Sequence, residues 1–138
     1  MAVAMTAAET GHLVLSTLHT LGAANTIDRI IDVFPPNQQR QIAVQLSSVL
    51  RAVVSQQLVP DVNESLIPAF EIMKTTPAIK NMIRENKVHQ IDGLIYSSAG
   101  GDMVSMDASL QRLVKEGRIT RHEALGHASN PEMLGKRI

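Results

Sequence analysis

The chain has 138 residues, 13 basic against 13 acidic, no cysteine and only three aromatics, Phe34, Phe70 and Tyr96. These counts exclude disulfides, thiolate metal sites, a polyanion-binding charge field and base stacking on an aromatic platform, so nucleic acid is not an expected partner. The core is aliphatic, no apolar run approaches the roughly 20 residues of a membrane helix, and the amino terminus lacks the basic start and long apolar stretch of a secretion signal.

Residues 2–10 are Ala-rich and predict the tail of a helix, with Gly11 as its terminator. His12–Thr17 is a short apolar run that suits a strand buried on both faces, as in a parallel sheet. Thr20 is placed to cap the next helix, in which Ala23, Ile27, Ile30, Ile31 and Phe34 share one face. Pro35 and Pro36 end it, and Pro36 can open a second helix. There Ile42, Leu46, Val49, Leu50 and Val53 keep helical spacing, so the helix is expected to run to about Gln57, some 30 Å at ~1.5 Å per residue. Leu58–Val62 and Leu66–Met73, around Asn63-Glu64-Ser65, predict a hairpin. Pro60 and Pro68 keep both strands off the centre of a sheet.

From Thr76 onward the pattern predicts short helices. Thr76 caps and Pro77 opens the first, with Ile79, Met82 and Ile83 on one side and Lys80, Asn81, Arg84 and Glu85 on the other. Val88, Ile91 and Ile95 mark the second. Ser97–Met103 reads as a loop, Met106, Leu110, Leu113 and Val114 mark the third helix, and Gly117 closes it. Thr120 and Glu123 form a capping-box start for the fourth.

Few groups carry chemistry. His12 and His19 flank the apolar run, and two readings stand: strand-edge residues bonded to backbone, or groups at the carboxyl end of a parallel strand, where open α/β sheets bind ligands. On the second reading Thr17, His19 and Thr20 present donors suited to a phosphate. Arg29, on the polar side of its helix, reads by default as a solvated charge. His12 and His19 are badly placed as a metal pair, and His122 and His127 read as surface residues, so no metal site is expected. The phosphate loop, Gly with four residues and then Gly-Lys-Ser or Gly-Lys-Thr, does not occur. Gly135-Lys136 is followed by Arg137.

Thr10-Gly11-His12-Leu13-Val14-Leu15-Ser16-Thr17-Leu18-His19-Thr20 resembles the histidine box of the ATPases that drive type II secretion and type IV pili. Ile27-Asp28-Arg29-Ile30-Ile31-Asp32-Val33-Phe34-Pro35 resembles the following helix in the pilus retraction branch. Ala78-Ile79-Lys80-Asn81-Met82-Ile83-Arg84-Glu85 resembles that branch's Ala-Ile-Arg-Asn-Leu-Ile-Arg-Glu signature, departing at Lys80 and Met82. The Lys80 departure loses a bidentate fork. The absence of a four-cysteine zinc module also favours the retraction branch.

The resemblance implies an α/β fold: the carboxyl-terminal half of a RecA-like ATPase core with few strands (1–73), followed by a bundle of short helices (74–138). It implies that the phosphate loop and magnesium site lie in sequence preceding the histidine box. The full-length protein would be a cytoplasmic hexamer using ATP and magnesium, peripheral to the inner membrane through platform proteins of the pilus. His19 matches the box histidine near the terminal phosphate, His12 a more structural one, and Arg29 an arginine at the subunit boundary. The chain alone is expected to take no cofactor. Two alternatives remain: a non-catalytic, self-associating interaction module, and a fragment of a type II secretion or pilus assembly ATPase.

Overall fold

The computed structural model of the chain describes residues 1–98 and 101–138. Of the Ser97–Met103 loop, Ala99 and Gly100 therefore lie outside the described residues. Helix α1 (Ala2–Glu9) ends at Thr10, and Gly11 follows with φ 93°, the left-handed conformation that glycine adopts without strain. Helices α2 (Ala23–Asp32) and α3 (Pro36–Val49) come next, then an antiparallel hairpin of β1 (Ala52–Pro60) and β2 (Leu66–Lys74). Among the described residues five short α-helices follow, with a 3-10 turn (Val88–Gln90) between the first two: α4 (Pro77–Arg84), α5 (Ile91–Ser97), α6 (Met106–Lys115), α7 (Arg121–His127) and α8 (Pro131–Gly135).

Three sequence expectations are corrected here. His12–Thr17 is not a strand; it runs without ladder partners, and Leu13 and Leu15 are each 87% exposed. A strand exists only as a paired ladder, and the one sheet among the described residues, β1–β2, lies elsewhere. Helix α3 stops at Val49 instead of about Gln57, which makes it about 21 Å long. The helical spacing that carried on to Val53 is coincidental: from Ala52 the burial alternates with a period of two, and the backbone pairs with β2, so β1 begins six residues earlier than the Leu58 expected. Lastly, Thr20 does not cap α2. The cap position is Gly22 at φ 85°, and Thr20 Oγ1 bonds to Thr26 Oγ1 at 2.8 Å.

Other local signals act as the sequence indicates. Thr76 Oγ1 accepts the Ile79 N–H with Pro77 in the first helical turn, and Thr120 Oγ1 accepts the Glu123 N–H. Val88, Ile91 and Ile95 are buried together, and Gly117 takes φ 68° after α6.

The interior divides into two apolar clusters. The first gathers α1, α2, α3, α4 and α5 around Ile27, Ile79, Ile83 and Ile91. The second gathers α6, α7 and α8 around Leu110, Leu113 and Leu134. The inner face of the hairpin feeds both: Val53 and Met73 enter the first, Val59, Ile67 and Ala69 the second.

Helix α4 shows how the two faces differ. Ile79 and Ile83 are fully buried against α3, and Met82 is partly buried. On the other side Asn81 Nδ2 donates to Glu85 Oε1 at 3.2 Å. Arg84 is less free than its polar-face position suggests, because its Nε donates to the buried Ser47 Oγ of α3 at 3.0 Å. Ile83→Ala should therefore cost about 2–5 kcal/mol, Arg84→Ala about 0.5–1.5 kcal/mol for one hydrogen bond, and Asn81→Ala no more than about 0.5 kcal/mol. Urea unfolding of the three variants checks that order. An Ile83→Ala loss no larger than that of Asn81→Ala would contradict the packing described.

Candidate functional site

The histidine-box segment leaves α1 as an exposed strip and rejoins the fold at Leu18, which packs against the first cluster. His12 stays at the α1 end, where Nδ1 lies 3.2 Å from Thr10 Oγ1 and 3.2 Å from the Ala7 carbonyl. Thr17 and His19 are exposed. The turn that follows is knitted to the first turn of α2: Thr26 Oγ1 donates to the Gly22 carbonyl and Asn25 Nδ2 to the Leu21 carbonyl, both at 2.8 Å. With the Thr20–Thr26 bond, this fixes Thr20 beside the amino-terminal end of α2, directly after His19 in sequence. Arg29 is exposed in the last turn of the same helix, about 9 Å further along the axis than Ala23. Thus Thr20 and Arg29 are tied to α2, with His19 one residue before Thr20; His12 stands apart, and no bond joins His19 to Arg29 among the described residues.

Helix α4 presents Ala78, Asn81, Arg84 and Glu85 outward, with Lys80 half-buried. Lys87 bonds to the Glu85 carboxylate, and that contact, with help from Asn81, holds its pKa below the usual range. Among the described residues no three His, Cys, Asp or Glu side chains converge as a metal site.

A polar belt that the sequence reading missed lies between the two apolar clusters. Glu71 is only 6% exposed on the inner face of β2, directly across from the buried Ser55. Its Oε1 accepts the Ala23 N–H at 2.8 Å, so β2 supplies the cap that Gly22 cannot. A cavity of about 720 Å³ opens beside it, lined among others by Gln57, Asp92, Tyr96, Asp107 and His127. Asp107 accepts the Ser129 and Asn130 N–H groups at 2.7 and 3.0 Å. His127, read from sequence as a surface residue, is partly buried with Nδ1 3.2 Å from Gln57 Oε1. Its neighbour in sequence terms, His122, is exposed as expected. The signal that could have found Glu71 is a charged side chain in inward register on an apolar strand.

Burial also raises the pKa of Asp92, and it raises that of Asp28 with added repulsion from Asp32. For Glu71 burial is the main cause of a raised pKa, opposed by the N–H groups of Ala23 and Met106 and reinforced by Asp92 and Asp107.

Residues 1–122 match the family described as type II/IV secretion system protein. The chain belongs to that family. It is 44% identical over 133 residues to a twitching motility protein of Neisseria gonorrhoeae, which covers 96% of this chain and 36% of the relative. It is 45% identical over 130 residues to the type IV pilus retraction ATPase PilT of Pseudomonas aeruginosa, covering 94% of this chain and 38% of that protein. Among solved structures, the pilus retraction motor PilT with bound ADP superposes with a TM-score of 0.85 at 40% identity, over 98% of this chain and 38% of that one. The chain thus spans a little over a third of the length of these relatives. Its fold is α/β, corresponding to the carboxyl-terminal part of a RecA-like secretion ATPase with few strands and a following set of short helices.

The raised Glu71 pKa fixes the sign of a pH effect. The folded value lies above the unfolded one, so the native state binds the extra proton. The stability that this proton contributes is complete below the ordinary glutamate value and is lost as pH rises through the raised value. Glu71→Gln removes this dependence. From the ordinary glutamate value, about pH 4, upward the variant should therefore gain on the wild type as pH rises, read from urea midpoints across the range. Parallel pH profiles for the two proteins would contradict it.

Proposed function

We propose that this chain is the carboxyl-terminal part of a hexameric, cytoplasmic motor ATPase that powers type IV pilus retraction, docked at the inner membrane on the platform proteins of the pilus. The observation that carries this reading is the 44–45% identity to twitching and retraction proteins over nearly the whole chain. Residues 1–73 would then belong to the ATPase core and 74–138 to the carboxyl-terminal helical region. The two stretches share one apolar cluster, in which α4 and α5 pack with α2 and α3.

Phosphoryl transfer is catalysed by positioning and charge neutralisation. In this reading His19, with the hydroxyls of Thr17 and Thr20, reads the terminal phosphate of ATP from the start of α2. Arg29 supplies a cation at the boundary to a neighbouring subunit. His12 keeps a structural part, bonded at the end of α1. These side chains offer donors that suit phosphate oxygens. Magnesium would be held by acidic residues elsewhere in the longer protein, and the chain alone takes neither. The exposed side of α4, through Asn81, Arg84 and Glu85, with the half-buried Lys80, serves retraction.

The exposed Leu13 and Leu15 favour a second reading in which the chain is a self-associating module without catalysis. One experiment separates the two. This chain is joined in frame to the part of the Pseudomonas aeruginosa relative that it does not cover. The motor reading expects magnesium-dependent ATP turnover, with His19→Ala and Arg29→Ala each lowering kcat by roughly 10²–10³-fold, as for loss of one preorganised charge-stabilising group. Asn81→Ala should keep turnover yet lower twitching in cells that depend on the joined protein. A joined protein without turnover, or one indifferent to both His19→Ala and Arg29→Ala, would overturn the motor reading and leave the module.

A further inference from the structure

Arg84 is an exposed residue with a buried anchor. Its Nε donates to Ser47 Oγ of α3 at 3.0 Å, and Ser47 is wholly buried. The Ser47 hydroxyl itself donates to the Val44 carbonyl at 2.7 Å, so its proton is used within α3 and its oxygen is left as the acceptor for the arginine, a donor-only side chain. The backbone beneath is equally held, because the preceding Ile83 is fully buried. A guanidinium is planar, so fixing Nε sets the plane of Nη1 and Nη2 as well. It also closes the side-on approach through Nε and leaves the end-on fork of the two Nη groups for a carboxylate. Among the described residues neither Nη has a partner. The rest of α4 fixes the sign of what the fork can take. Glu85, the one carboxylate of its motif, is held by Asn81 at 3.2 Å and by Lys87. Lys80 lies one turn before Arg84, where like charges repel, and among the described residues it pairs with no carboxylate. The chain's 13 basic and 13 acidic residues balance, so there is no broad positive field for a membrane surface or a nucleic acid. An acidic protein segment is the occupant that fits.

We propose that Ser47 is a positioning residue for Arg84: from the buried side of α3 it aims the guanidinium fork of α4, beside Lys80, at a carboxylate of an acidic partner segment. This rests on the reading above that the exposed side of α4 serves retraction, and it gives that surface a partner chemistry. Ser47 touches no partner itself. It acts by removing rotamers that Arg84 would otherwise lose on binding, and ordering one long side chain at an interface changes affinity about 2–10-fold.

The test uses NMR on the isotopically labelled 138-residue chain. Hydrogen exchange and relaxation at Arg84 Nε should show a slowly exchanging, rigid group, unlike the exposed Arg40, whose side chain has no bond among the described residues. Ser47→Ala should make the two arginines alike. The binding probe is a synthetic hexaglutamate peptide at low salt, followed through the amide shifts of α4, with hexaglutamine as the neutral control. Ser47→Ala should weaken peptide binding by the factor above. Arg84→Lys, which keeps the charge but lacks both Nε and the fork, should weaken it at least as much and keeps the test open if Ser47→Ala unfolds. In the Arg84→Lys background Ser47→Ala should add nothing, which a merely structural loss in α3 would not reproduce. An Arg84 Nε as mobile as that of Arg40, a peptide affinity that neither variant changes, additive effects of the two substitutions, or binding to phosphatidylglycerol vesicles in preference to the peptide would overturn the proposal. Neither ATP nor pili enter this titration, so its failure leaves the motor reading standing, and a joined protein without turnover leaves the fork as it is.

Discussion

The register of the β1–β2 ladder is the constraint on which the rest depends. Val53 faces Met73 at one end of the inner face, and Val59 faces Ile67 at the other. These pairs enter two different apolar clusters, so the hairpin is the beam on which both halves of the chain are built. Ser55 faces Glu71 between them. A slip of one residue would turn all of these outward and bring Val54, Leu58, Leu66 and Pro68 inward. It would also remove the carboxylate from the start of α2. The polar belt and the two clusters therefore fix the same register independently.

The uncovered surfaces follow from the same geometry. The outer face of the hairpin leaves Val54, Leu58 and Leu66 at least half exposed, and the box segment leaves Leu13 and Leu15 almost wholly so. Each large aliphatic left in water forgoes about 1.5–3 kcal/mol of burial. In the proposed motor the remaining sequence of the longer protein would cover them, and the box segment would gain the ladder partners that make an apolar run a strand. The helix after the box needs no such help. Its buried side is complete here through Ile27, Ile30 and Ile31, and its start is capped from β2.

What could be read from sequence depended on how local the controlling interaction is. Thr76-Pro77 and Thr120 start helices through bonds three residues away, and those starts stand where the sequence puts them. The alternation of Ile79 and Ile83 with polar residues likewise places α4 correctly against the core. The end of α3 was misread because Val53 continues a helical spacing by chance, whereas the strand there is decided by pairing with residues some twenty positions on. Thr20 looked like a cap because capping is normally local; the real acceptor, Glu71, lies 48 residues away. The same holds for His127, whose partner Gln57 comes from β1. His19 and Thr20 were legible as candidates through the box resemblance and Arg29 through that of the helix after it, and the structure ties Thr20 and Arg29 to α2. In the proposed motor, their contact with a nucleotide would involve the remaining sequence of the longer protein.

On the proposed function, the chain carries the sensing and boundary side of an ATPase site and not its phosphate-binding side. The sequence holds no Gly with four residues and then Gly-Lys-Ser or Gly-Lys-Thr, the pattern whose backbone N–H groups cradle phosphates. The most direct measurement is magnesium-dependent ATP hydrolysis by the purified 138-residue chain, followed through successive purification steps. The account predicts turnover no higher than that of buffer. Turnover that rises with purity and stays with the 138-residue species would contradict it.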